Sequence, residues 1–210
     1  MKLRKRLRYL YDYYRWVFFL ILIAGLILFY MGDLIRQSRQ TVDLQGFFIN
    51  DRQNLFPAKE LTEDFSDYIK IPRGHRIAFE DSLFIDLDSS GQYETASQSK
   101  LTAYIAAREL DFLVAPEELA RYYARSFPLM DLNKLLPEDL KDRLEEDLVW
   151  DGEGNKAQMA WGLDLRHSRF LEGTDWDHKE SYYLMILSYT PHWDALVSFL
   201  QYAYEKAPQP

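Results

Sequence analysis

Residues 16 to 31, WVFFLILIAGLILFYM, constrain this chain more than any other stretch. Between Arg15 and Asp33 lie 17 residues without a charge. As a helix they extend about 25 Å, slightly short of the roughly 30 Å hydrocarbon core of a bilayer. Leu10, Tyr11, Leu34 and Ile35 can lengthen the span. Eleven of these residues are Leu, Ile, Val or Phe, which favours insertion by roughly 3 to 7 kcal/mol. Every helical face is apolar, unlike the one-sided pattern of a surface helix. The sequence therefore predicts a transmembrane helix over 16–32, preceded by a basic segment over 1–15.

Charge sets the orientation. Lys2, Arg4, Lys5, Arg6, Arg8 and Arg15 precede the span, whereas Asp33 to Asn50 carry only Arg36 and Arg39. The amino terminus is thus expected in the cytoplasm and the remainder outside the cell, as a single-pass protein of the cell membrane. Tyr9, Tyr11, Tyr13, Tyr14 and Trp16 form an aromatic belt at the inner end, with Tyr30 at the outer. A cleaved signal peptide is the rival reading, but the core is long for one and FYMGDLI offers no small-x-small cleavage site. A lipoprotein anchor is excluded, because there is no cysteine to acylate.

Residues 33–210 carry 19 basic and 32 acidic side chains, a net charge of −13. That surface repels nucleic acid and anionic headgroups. With 48% hydrophobic and 16% aromatic residues in the chain, this part can bury a real core, and one domain is expected. The lack of cysteine also excludes disulfides, a thiol nucleophile and thiolate metal sites.

Segment 33–75 reads as a stalk or rim. GDLIRQSRQTV continues the membrane helix, LQGFFIN is a short extended piece, and PAKELTEDFSDYI is a helix opened by Pro57 and stopped by Pro72 and Gly74. The extracytoplasmic domain is expected over 76–210. RIAFE and SLFIDLD read as two strands, SQSKLTAYIAAREL as a helix, DFLVA as a buried strand and PEELARYYARSF as a helix. PEDLKDRLEEDLVW follows as an amphipathic helix, QMAWGLDL as a strand and SYYLMILSY as the longest strand of the exterior. Thr190 caps a final helix with Pro191 at its first position. Strands alternating with helices predict a compact, partly parallel α/β sandwich.

DLDSSG, from Asp86 to Gly91, has the opening of a calcium loop, but Ser97 stands where a bidentate Glu is required, so an Asx turn is expected. His75, His167, His178 and His192 are scattered, and only DWDH, at Asp175 to His178, sets a histidine among carboxylates. That is too few ligands for a metal, and no cofactor is expected. There is no nucleophile elbow, zinc-protease, phosphate-loop or dinucleotide motif, so no catalytic residue is assigned and no enzyme is expected. Trp150, Trp161, Trp176 and Trp193 invite sugar stacking, with core packing the alternative. Trp176, in a polar loop, is the one expected to be exposed. Asp111, where helix meets strand, is expected to cap neighbouring backbone, with a ligand contact as the second reading.

In KLTAYIAARELDFLVAPEELARYYARSFPLMDLNKLLPEDL, the residues Ala106, Ala107, Asp111, Leu119, Tyr122, Tyr123, Leu129, Asp131 and Leu132 stand in an order that resembles the extracellular solute-binding proteins of ABC importers. That order is a helix ending in small residues, a strand opening with Asp, a helix packing an aromatic, and a closing Asp-Leu segment. AWGLDLRHS resembles the family's strand returning through the hinge, and YYLMILSYTPHWDALVSFLQYAY its strand, polar turn and helix. The likeness spans 80 to 203, and about 25 residues between DLNKLL and the return strand leave room for one lobe where the family has two. The resemblance implies a single-lobe, membrane-anchored relative: a non-enzymatic accessory protein that contacts a transporter permease. The alternative is a reduced receptor for a small neutral or cationic solute (sugar, peptide or amino acid), with Asp111 and Trp176 as candidate ligand-binding residues. A small-molecule ligand is expected to bind weakly, because one lobe cannot enclose it.

Overall fold

The computed structural model describes residues 14, 16–17, 19–32, 40–88, 91–152, 159–172, 174, 176 and 180–205. The chain divides into two compact units, Met1–Thr41 and Val42–Pro210. In the first, residues 19–32 form a helix, α1. From Phe19 to Met31 its large apolar side chains are 50 to 79% exposed. Among the described residues, no helix is long and apolar enough to cross a membrane. Phe18 and residues 33–39, which bear on the expected span and its outward continuation, lie outside the described residues.

The second unit is built on one six-stranded sheet. Its strands are β1 (Thr41–Ile49), β2 (His75–Leu83), β3 (Phe112–Pro116), β4 (Leu148–Trp150), β5 (Ala160–Asp164) and β6 (Tyr182–Ile186), in the order β2-β1-β3-β6-β5-β4. β1 and β3 are parallel, with Gly46 opposite Phe112. Asp43 meets His75 at the starts of β1 and β2, and Asn50 N–H donates to Leu83 O at their ends, so these strands also run in one direction. β6 is antiparallel to both β3 and β5, and β4 is antiparallel to β5. The parallel half comes from two crossovers, through α2 (Ala58–Ile69) and α3 (Gln92–Ala107).

Period-two alternation sends the strand residues to two buried faces. Phe48, Phe112, Val114, Leu184 and Ile186 pack with Leu61 and Phe65 of α2 and with Leu196, Phe199 and Leu200 of α7 (Trp193–Tyr204). Phe47, Leu113, Ala115 and Met185 pack with Leu101 of α3 and with Leu119 and Tyr123 of α4 (Glu117–Ala124). Leu113 and Val114 therefore face opposite layers, as a covered parallel strand requires. The short helices α5 (Leu132–Leu135) and α6 (Glu138–Leu144) add Leu132, Leu140 and Leu144 to the first face.

Four expectations are corrected. Residues 42–75 are no stalk: β1 is an interior strand of the sheet, because LQGFFI is apolar on both of its alternating faces. RIAFE and SLFIDLD are not two strands, since β2 runs unbroken to Leu83 and Asp81 turns to accept the Ala58 N–H at the start of α2, 2.8 Å away. LVW leaves the predicted helix and pairs with β5 as β4. SYYLMILSY contributes only the five-residue β6, while β1 and β2 have nine residues each.

Candidate functional site

In an open sheet of parallel strands, ligand crevices form beyond the carboxyl ends, where successive crossovers depart in opposite directions. β1 is that point here, since its neighbours β2 and β3 lie on either side of it. A crevice of about 250 Å³ occurs there, lined by Asn50 and Arg52 after β1, Ile85 to Asp88 after β2, Pro116 and Glu118 at the β3–α4 junction, and Glu180 before β6. Its floor is organised by Asn50, a left-handed residue (φ 60°). The Asn50 side chain accepts from Ile85 N–H and donates to Ile85 O, both at 2.8 Å, prolonging the sheet beyond the last strand pair. Asp51 accepts from Leu55 N–H at 2.8 Å and Phe56 N–H at 2.6 Å and so fixes the loop that carries Arg52. Asp88 N–H donates to Asp86 Oδ1 at 2.9 Å, the expected Asx turn. Among the described residues no group of side chains could hold a metal ion.

The crevice sets Arg52 against Asp86, Asp88, Glu118 and Glu180. Such a lining attracts cations and hydroxyl donors and repels anions. Its volume is just below the 300 to 1,000 Å³ typical of sites that enclose a small molecule.

Asp111 lies at the other end of β3 and is 2% exposed. Its Oδ2 accepts from Gln45 N–H at 2.7 Å, and its Oδ1 accepts from Thr190 Oγ1 at 2.5 Å. His192 Nδ1 lies 3.0 and 3.1 Å from the two oxygens. This carboxylate caps backbone and ties β1, β3 and the turn before α7 together, which is the first of the two readings of the sequence. Burial, aided by the Asp111 charge, pushes the nearby Tyr189 hydroxyl up to about 12. Trp176 departs from expectation: it is 6% exposed, packs in the larger core, and donates its indole N–H to Glu180 O at 3.0 Å. The polar residues around it in sequence do not report that a carbonyl partner allows the ring to turn inward. Asp111 and Trp176 are not brought together, since one precedes Phe112 and the other holds the segment before Tyr182, at opposite ends of a five-residue strand pair. That pair is about 17 Å long.

Sequence reasoning missed Arg52, Glu118 and Glu180 as neighbours. The available signal was positional, because each lies within three residues of a strand end. His178, with Asp175 and Asp177, lies outside the described residues.

No family model matches this chain, and no curated protein matches it. Among solved structures it is similar to a protein from Synechococcus sp. MITs9220 described as an oligosaccharide periplasmic-binding protein, with a TM-score of 0.34 and 16% identity over 58% of this chain. The aligned part is 27% of that protein's length.

Proposed function

We propose that this protein is a membrane-anchored, extracytoplasmic, non-enzymatic interaction module whose partner is a membrane protein, a transporter permease in particular. The observation that carries the reading is α1. Thirteen consecutive positions from Phe19 to Met31 contain no charge, and each large apolar side chain among them is at least half exposed. Exposing that surface to water costs about 25 cal/mol per Å², whereas a bilayer accepts it. The basic residues before the helix support an outward orientation for residues 33–210. The likeness of residues 80 to 203 to one lobe of the solute-binding proteins supports a permease as the partner.

The test is topological and biochemical. A periplasmic-type reporter fused after Pro210 is active outside the cell, the protein resists alkaline extraction from membranes, and its amino-terminal sequence is retained. Cross-linking in membranes captures a multi-span partner. Recovery of a soluble fragment beginning near residue 33 would overturn the anchor.

A second reading, a reduced solute receptor, rests on the acidic crevice at the ends of β1, β2 and β3. It calls for a cationic or hydroxyl-rich ligand. A crevice of this size that does not enclose its ligand is expected to bind no tighter than roughly millimolar, about −4 kcal/mol, so a micromolar ligand for the monomer would favour the receptor over the interaction module.

A further inference from the structure

β2 is an outer strand of the sheet and, at nine residues, one of its two longest. Long edge strands are templates for another strand, and proteins guard them with charged side chains, lysine above all, with proline, bulges or very short length, or with a covering helix or loop. The β2 sequence HRIAFEDSL has no proline and no lysine. Its charges follow a different rule, reading basic, basic, apolar, Ala, apolar, acidic, acidic from His75 to Asp81.

That order is self-complementary about Ala78. In an antiparallel pair of two β2 strands related by a two-fold axis at Ala78, Arg76 of one copy faces Glu80 of the other, Ile77 faces Phe79, and Ala78 faces itself; His75 faces Asp81, but these two are bonded within their own copy to Asp43 and the Ala58 N–H, so Arg76 with Glu80 is the pair that carries the complementarity. Each relation except Ala78 with itself, which lies on the axis, occurs twice, as an isologous interface requires. Cross-strand partners project to the same face, and the faces agree with the structure. Glu80 reaches Lys100 of α3 at 2.6 Å, so Arg76, Ala78 and Glu80 lie on the α3 side. Ile77 and Phe79 pack with the α2 and α7 side. The axis falls on Ala78, the smallest side chain of the strand. Arg76 is exposed, while Ala78, Phe79 and Glu80 are half-buried.

From this we infer that the β2 edge is a homodimer interface, at which a second copy of this chain continues the sheet antiparallel across Ala78. A parallel, in-register partner would set Arg76 on Arg76 and Glu80 on Glu80, so the same charges that admit the antiparallel copy exclude open-ended stacking. This inference concerns the second unit only and does not depend on the membrane reading.

The chain has no cysteine, so Ala78→Cys introduces one thiol per copy, placed on the proposed axis. In the full chain purified in a non-ionic detergent, mild oxidation is expected to convert A78C to a covalent dimer. Ser99→Cys, on the exposed side of α3, should remain monomeric. Arg76→Glu and Glu80→Arg should each weaken the homodimer about tenfold or more, as attraction at two cross-strand positions becomes repulsion. Mixed together, these two variants should form a heterodimer, which also shows that both are folded. Absence of the A78C dimer, equal cross-linking of S99C, or dimerisation unchanged by charge reversal would overturn the inference. A dimer that persists in both charge variants would instead place the contact elsewhere in the chain.

Discussion

Asp111 and His192 stand 81 positions apart in the chain and 3.0 Å apart in the fold, with the Thr190 hydroxyl on the same carboxylate oxygen. Through them the start of α7 is fastened to β1 and β3. Asp111→Asn leaves an amide that cannot accept from Gln45 N–H, Thr190 Oγ1 and His192 at once, so at least one buried donor loses its partner. A loss of about 1 to 3 kcal/mol is expected, read as a lower thermal midpoint. Thr190→Val should cost about 1 kcal/mol, and the double variant should lose less than the sum, since both remove the same bond. Strict additivity would show that the bond contributes nothing to stability.

Gly46 is required by close approach. A Cβ at this position would overlap the Phe112 ring. That ring cannot withdraw, because it stacks on Phe199 at 4.8 Å and meets Phe48 and Phe79 edge-on. Gly46→Ala is expected to destabilise by about 1 to 3 kcal/mol through overpacking. Gly46→Ala combined with Phe112→Leu should recover part of it. Denaturant unfolding of the three proteins checks this, and a neutral Gly46→Ala would contradict the packing around Phe112.

Leu113 and Val114 are 0 and 1% exposed and belong to different faces of the sheet. Leu113→Ala should lose about 2 to 5 kcal/mol. Either residue changed to Asp should prevent folding, because an unpaired charge is buried whichever face it enters. If Val114→Asp were tolerated and Leu113→Asp were not, β3 would be covered on one side only.

Two carboxylates contribute to the acid limb of stability. Burial pushes Glu80 up, but the Lys100 ammonium and the Ser82 hydroxyl outweigh it, and the net value lies below the usual range. Burial likewise opposes, and Lys134 with the Ala160 N–H outweighs, a net lowering at Asp131. A carboxyl group lowered in the folded state contributes stability that is fully present above its unfolded value, about 3.9 for Asp and 4.3 for Glu, and is lost as pH falls through the folded value. Glu80→Gln and Asp131→Asn should therefore lower the thermal midpoint at neutral pH. The difference from the parent should shrink as the pH drops below about 4. A constant difference across that range would mean the effect is not electrostatic.

Much of the second unit was legible because its signals are local. DFLVA is a strand and PEELARYYARSF a helix for reasons contained within each segment, and the final helix follows from its own apolar spacing, although it begins at Trp193 with His192 as N-cap and not at Pro191 behind a Thr190 cap. Asp111 was legible as a backbone cap from its place between helix and strand, although its partners Gln45, Thr190 and His192 were not. The apolar, uncharged stretch before Asp33 is equally a property of sequence alone. What tertiary structure decided is which segments become neighbours. LQGFFIN looked like a rim piece because its strand partners β2 and β3 are remote in sequence, and only their pairing makes it an interior strand. Trp176 looked exposed because sequence shows its polar neighbours and not the carbonyl of Glu180. The crevice at Asn50, Arg52, Glu118 and Glu180, and the place of β2 as an outer strand, exist only once the strand order is set. Strand order depends on burial summed over the whole domain, a quantity that no single segment of the chain contains.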